Sequence, residues 1–69
     1  MIDHLTERQE QIVRCIREWV AERGDYPSLS EIGGCVGLSS KSAVHYQLHR
    51  LEARGVVVRE AGQPYRLAW

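Results

Sequence analysis

Between Gly37 and Gly55 the chain carries hydroxyl, imidazole, phenol and guanidinium groups at spacings that gather them on one side of a helix. Val44, Leu48 and Leu51 stand at i, i+4 and i+7, so on a 3.6-residue period they form one narrow inward stripe. The far side then holds Ser42, Tyr46, His49 and Ala53, flanked by Ala43, His45 and Arg50. A solvated helix in a small domain ordinarily carries Glu and Lys pairs there. Hydroxyls and imidazoles both donate and accept hydrogen bonds, whereas a carboxylate or an ammonium does only one. Base edges present both kinds of partner, and an alanine can meet a thymine methyl. The chemistry expected of these residues is therefore the reading of base edges.

Other chemistries fit less well. His45, His49 and Glu52 stand at i, i+4 and i+7 along one edge of this helix, a spacing that can chelate a divalent cation. No further ligand with outer supporting contacts is evident, so neither a metal nor a cofactor is expected. The two histidines are assigned instead to phosphate or bases, and imidazole protonation predicts tighter DNA binding at mildly acid pH. No Ser/His/Asp or Cys/His arrangement, paired carboxylate or phosphate-cradling glycine loop is present. Ser39, Ser40 and Ser42 read as caps and contact groups with no base to activate them, so the expectation is a non-enzyme with no small-molecule substrate. Cys15 and Cys35 have neither a C-x-x-C partner nor a histidine at zinc-finger spacing. Each falls on an apolar stripe, and both are expected to be buried, reduced core thiols, the alternative being a redox or intermolecular role.

The elements that position these groups follow from caps and periodicity. Helix 1 is expected to start at Thr6, with Gln9 completing a reciprocal capping box, and to run to about Arg23. Its inward residues are Ile12, Cys15, Ile16, Trp19 and Val20. Gly24 stops it, and Gly24-Asp25-Tyr26-Pro27 reads as a turn. Ser28-Leu29-Ser30-Glu31 is a second capping box that opens helix 2, which runs to about Val36 and buries Leu29, Ile32, Cys35 and Val36. Gly33 and Gly34 each cost about 1 kcal/mol of helix propensity relative to Ala. Either they permit close contact with another helix or this segment is looser than its neighbours.

Gly37-Leu38-Ser39 connects to helix 3, with Ser39 or Ser40 as cap, and Gly55 ends that helix. Two helices joined by a short glycine-containing turn make a helix-turn-helix. Val56-Val57-Val58-Arg59 reads as a strand, Glu60 to Gln63 as a turn, and Tyr65 to Trp69 as the returning strand. Pro64 must start its strand or sit on an edge. The expected fold is mostly α with a small β-hairpin, a three-helix winged helix-turn-helix occupying residues 1–69 as one domain. Trp19, Tyr26 and Trp69 are assigned to the core or its rim.

At 69 residues the chain has no room for a separate catalytic domain. With 43% apolar and 26% charged residues it is ordinary globular material. No apolar run approaches the roughly 20 residues of a membrane span and the first residues are not a signal peptide, so no membrane partner and a cytoplasmic location are expected. The net charge is zero, yet residues 1–31 hold seven acids against four arginines, and residues 32–69 hold Lys41, Arg50, Arg54, Arg59 and Arg66 against Glu52 and Glu60. A basic face can thus exist on a neutral molecule. Eight Arg to one Lys also favours groups that grip phosphate or guanine with a bidentate fork.

Leu5-Thr6-Glu7-Arg8-Gln9, Tyr26-Pro27-Ser28 with Glu31-Ile32, Gly37-Leu38-Ser39-Ser40, and Leu51-Glu52-Ala53-Arg54-Gly55 together resemble the N-terminal domain of the LexA repressor family. The resemblance covers nearly the whole chain and keeps the spacing between motifs. It implies a winged helix-turn-helix that sets helix 3 in the DNA major groove, with Ser40, Ser42, Ala43, His45 and Tyr46 matching the family's base-reading segment. Gly33-Gly34 departs from the usual, better helix. The family's second domain, with its Ser/Lys self-cleavage dyad and most of its dimer contact, does not appear in these residues. The run from Met1 to the apolar Trp69 leans toward a stand-alone regulator over a domain cut from a longer repressor.

The expectation is a sequence-specific regulator, a repressor, that binds double-stranded DNA through helix 3. Its backbone-contacting set is Lys41, His49, Arg50, Arg54, Arg59 and Arg66, with the helix 2 amides near Ser28 and Ser30 as a further anion site. A module this small has few phosphate contacts, so affinity is expected to come from a homodimer on a palindromic site or from a protein partner. The edge at Leu67 to Trp69 is the candidate pairing surface. The alternative is a winged-helix adaptor that binds another regulator or polymerase subunit instead of DNA.

Overall fold

The computed structural model describes residues 5–68, in which α1 (Glu7–Arg23), α2 (Leu29–Val36) and α3 (Lys41–Ala53) precede a hairpin of β1 (Val57–Val58) and β2 (Arg66–Leu67). Both expected capping boxes form. The Thr6 side chain accepts the Gln9 amide while Gln9 Oε1 accepts the Thr6 amide, and Ser28 and Glu31 exchange the same pair of bonds. Gly24 and Gly37 end their helices in the left-handed conformation that a residue without Cβ adopts freely. Of the two serines available, Ser40 caps α3, its hydroxyl accepting the Ala43 amide at 3.4 Å.

The core joins all three helices and the hairpin: Ile12, Val13, Cys15 and Ile16 from α1, Ile32 from α2, Val44, Leu48 and Leu51 from α3, then Val56, Val57 and Tyr65. Val20, Leu29 and Val36 pack against its margin, and Trp19 is half-buried, with the Arg23 guanidinium 4.0 Å from its ring centroid. Tyr26 is exposed at the rim, and Trp69 lies outside the described residues.

The two adjacent glycines of α2 are not equivalent. A Cβ on Gly33 would lie 2.7 Å from the Leu38 carbonyl oxygen and 3.2 Å from Val44 Cγ2, so α2 packs on the turn and on α3 at a distance that only glycine allows. A Cβ on Gly34 would meet nothing within 4 Å.

Two expectations need correction. Cys35 is exposed, not buried. On an eight-residue helix the inward direction is set by Leu29, Ile32, Gly33 and Val36, and Cys35 lies about 110° from the centre of that arc. A glycine that marks the inward side has no hydropathy to reveal it. The strands are also shorter than expected, with Val57 opposite Leu67 and Val58 opposite Arg66. Beyond them the Ala68 amide bonds the Val56 carbonyl at 3.0 Å, and Pro64, lacking an N–H, precedes the paired residues.

Candidate nucleic-acid interface

Val44, Leu48 and Leu51 anchor α3 from below, which leaves its opposite side to solvent. Lys41, Ser42, His45, Tyr46 and His49 come together along that side and, with Leu29 of α2, line one shallow groove. Tyr46 is 57% exposed. Arg50 Nη1 donates to the Tyr46 hydroxyl at 3.5 Å, and the guanidinium lies 5.8 Å from the ring centroid, so the two side chains project as a unit. The His45 and His49 rings stack with centroids 6.4 Å apart, and Glu52 stands 4.0 Å from His49 Nδ1. Among the described residues no group of three His, Cys, Asp or Glu side chains is placed to hold a metal ion.

Tyr65 joins the hairpin to this helix. It is buried, meets the His45 ring edge-on at 6.4 Å, and carries the Arg59 guanidinium 5.1 Å from its own centroid. Arg59 and Tyr65 then line a second groove with Ser28, Leu29 and Glu31 at the start of α2. Leu29 thus lies between the two grooves. The Ser28 amide is taken by the Glu31 carboxylate at 2.7 Å, which leaves the amides of Leu29 and Ser30 outside the helix ladder. Arg66 sits across the hairpin, 3.8 Å from Glu60, and Arg54 lies at the end of α3 opposite Lys41.

Two assigned base-contacting residues are constrained. The Ser40 hydroxyl already caps the helix, and Ala43 is half-buried between the core stripe and the groove. Residue patterning missed Leu29, read there only as core, and the link beneath α3: Gln9 Nε2 donates to Gln47 Oε1 at 3.3 Å. Gln9 is 3% exposed, and its capping role gave the one signal that it is tied down. Arg8 of α1 also bonds the Val36 carbonyl at the end of α2, so α1 holds both helices of the helix-turn-helix.

Of the residues expected to read bases or touch phosphate, Ser28, Lys41, Ser42, His45, Tyr46, His49 and Arg59 line the two grooves that meet at Leu29, whereas Arg54 and Arg66 line neither. None of the described helices is long and apolar enough to cross a membrane. The family model described as LexA DNA binding domain matches residues 2–66. The chain is 50% identical over 60 residues to the LexA repressor of Mycobacteroides abscessus, which covers 87% of this chain and 27% of that relative. It is also 50% identical to the LexA repressor of Mycolicibacterium gilvum, and 47% identical to that of Streptomyces coelicolor, over 60 residues in each case. In both, the matched stretch is 87% of this chain and 26% of the relative, so the chain spans about a quarter of the length of the relatives it matches. With its three helices, short hairpin and 65-residue match, the chain belongs to the LexA DNA-binding domain family.

Proposed function

We propose that residues 1–69 act as one winged helix-turn-helix domain that binds double-stranded DNA in the cytoplasm and represses transcription by occupying promoter DNA. The observation that carries this reading is the alignment of Ser42, His45, Tyr46 and His49 along one solvent-facing groove directly above the packed stripe of α3. A helix presented this way fits the major groove, where hydroxyl and imidazole groups meet both donors and acceptors. Ser40, Ser42, Ala43, His45 and Tyr46 face bases. Lys41, His49, Arg50, Arg54, Arg59 and Arg66 contact phosphates, and the first-turn amides of α2 at Leu29 and Ser30, beside the Ser28 cap, add dipolar attraction.

The Arg50 and Tyr46 pair supplies a cation and a hydroxyl in one preset geometry, which lowers the ordering cost of binding. The domain performs no catalysis and uses no cofactor. A second copy on a palindromic site raises affinity by doubling the interface.

Selection from a random duplex library at low salt tests this reading. The wild-type chain is expected to enrich a defined sequence, and Ser42→Ala, Tyr46→Ala and Arg50→Ala each to lose roughly 1–3 kcal/mol of binding or discrimination. Failure to enrich any sequence at low salt, with the protein folded, would overturn it and leave a protein-binding adaptor.

A further inference from the structure

Cys15 of α1 and Cys35 of α2 line one groove on the surface between those helices, together with Gln11, Arg14, Glu18 and Val36. Their exposures are opposite. Cys15 is 3% exposed, whereas Cys35 is open to solvent. The two side chains nevertheless act on each other: burial first, then the neighbouring Cys35 side chain, pushes the Cys15 thiol up to about 12. The groove of about 330 Å³ compares with the ~30 Å³ of one liquid water, so a small oxidant reaches Cys35 directly.

We propose that Cys35 and Cys15 form a reversible thiol modification site: a hydroperoxide oxidises Cys35, and Cys15 resolves it as a disulfide that ties α1 to α2. In the first step the Cys35 thiolate attacks the outer peroxide oxygen. The O–O bond breaks, the sulfur becomes a sulfenic acid, and the leaving oxygen takes the proton to depart as water or alcohol. In the second step the Cys15 sulfur displaces the sulfenic hydroxyl, which leaves with the Cys15 proton as water. The hydroperoxide accepts the two electrons that the two thiols lose, and a dithiol reductant restores them by exchange.

The order of events follows from exposure and geometry. Cys15 is shielded from the oxidant and lines the same groove as the sulfur it must join, whereas Cys35 is accessible. The bond closes a loop of about 20 residues containing the turn and most of α2, which constrains the unfolded chain and raises the thermal midpoint. It acts on the α1–α2 side of the molecule and stands independently of whether α3 reads DNA.

Treatment of the full chain with hydrogen peroxide, followed by intact-mass and peptide analysis, tests the proposal. The expected product is monomeric and about 2 Da lighter, carries a Cys15 to Cys35 crosslink, melts at higher temperature, and reverts with dithiothreitol. Under the same treatment Cys35→Ser should keep Cys15 reduced, and Cys15→Ala should accumulate a sulfenic acid at Cys35 that dimedone traps. Wild-type protein that gains oxygen at Cys35, or that forms only linked dimers, while Cys15 remains a free thiol, overturns the proposal without recourse to either variant.

Discussion

The junction of α2 with α3 and the hairpin hold the candidate interface from two sides by different means. At the junction, the Leu38 carbonyl and Val44 leave no room for a Cβ on Gly33, so the angle between the helices is fixed by steric exclusion. The hairpin has only two paired positions; it meets α3 through the buried Val56 and Val57 and through the Tyr65 ring, which lies edge-to-face with the exposed His45. Its charged groups remain outside: Arg66 faces Glu60 across exposed surface, and Arg59 lies over Tyr65. The contrast separates two requirements of a reader of DNA. Base contacts demand a fixed helix, because hydrogen bonds weaken steeply with misalignment. Phosphate contacts tolerate adjustment, because a cation near a polyanion acts over several ångströms.

Substitutions on each side probe this contrast. Gly33→Ala should have the largest effect, costing about 1–3 kcal/mol, because the atom it strikes is backbone and cannot swing away. Urea denaturation measures that cost, and duplex affinity in conditions where the variant stays folded should fall as well, since α3 is displaced. A variant that is as stable as the wild type would mean that the junction yields easily. One residue along, Gly34→Ala should instead stabilise the chain by about 1 kcal/mol, because the new methyl meets open space and the helix gains propensity. Its duplex affinity should not change. The smallest effect on stability belongs to Arg66→Ala, whose exposed pairing with Glu60 contributes about 0–1 kcal/mol. Its signature is in salt dependence: with one fewer phosphate neutralised, the slope of log affinity against log salt should become shallower by about 0.9.

The caps were legible because they are local. Thr6 with Gln9 and Ser28 with Glu31 each satisfy orphan amides within one turn, so four consecutive residues contain the whole interaction. The stripe of Val44, Leu48 and Leu51 was equally plain, and with it the exposed side of α3. Cys35 was misplaced because the inward side of a two-turn helix was partly marked by Gly33, which packs closely without adding hydropathy. Val13 escaped notice for a related reason: the packed arc of α1 is wider than a single i, i+3, i+4 row, since both α2 and α3 lie against it. In the candidate site, residue types could be assigned to a face but not to partners. That Tyr65 reaches His45 is a consequence of three-dimensional neighbours that no spacing rule contains, whereas Arg50 on Tyr46 and Ser40 on the Ala43 amide are i, i+4 and i, i+3 pairs of one helix.

Gln9 has a consequence of a different kind. Its amide serves the Thr6 backbone with its oxygen and Gln47 of α3 with its nitrogen, while nearly all of its surface is removed from water. Altering Gln47 alone strands the buried Gln9 amide nitrogen, at a cost of about 1–3 kcal/mol, and altering Gln9 removes the partner of both Gln47 and the Thr6 amide. Positions 9 and 47 are therefore expected to drift slowly and in concert. The solvent-facing positions 42, 46 and 49 carry no such mutual obligation to the core. A lineage of such domains can change what it reads one residue at a time while the corner that orients the reading helix stays as it is.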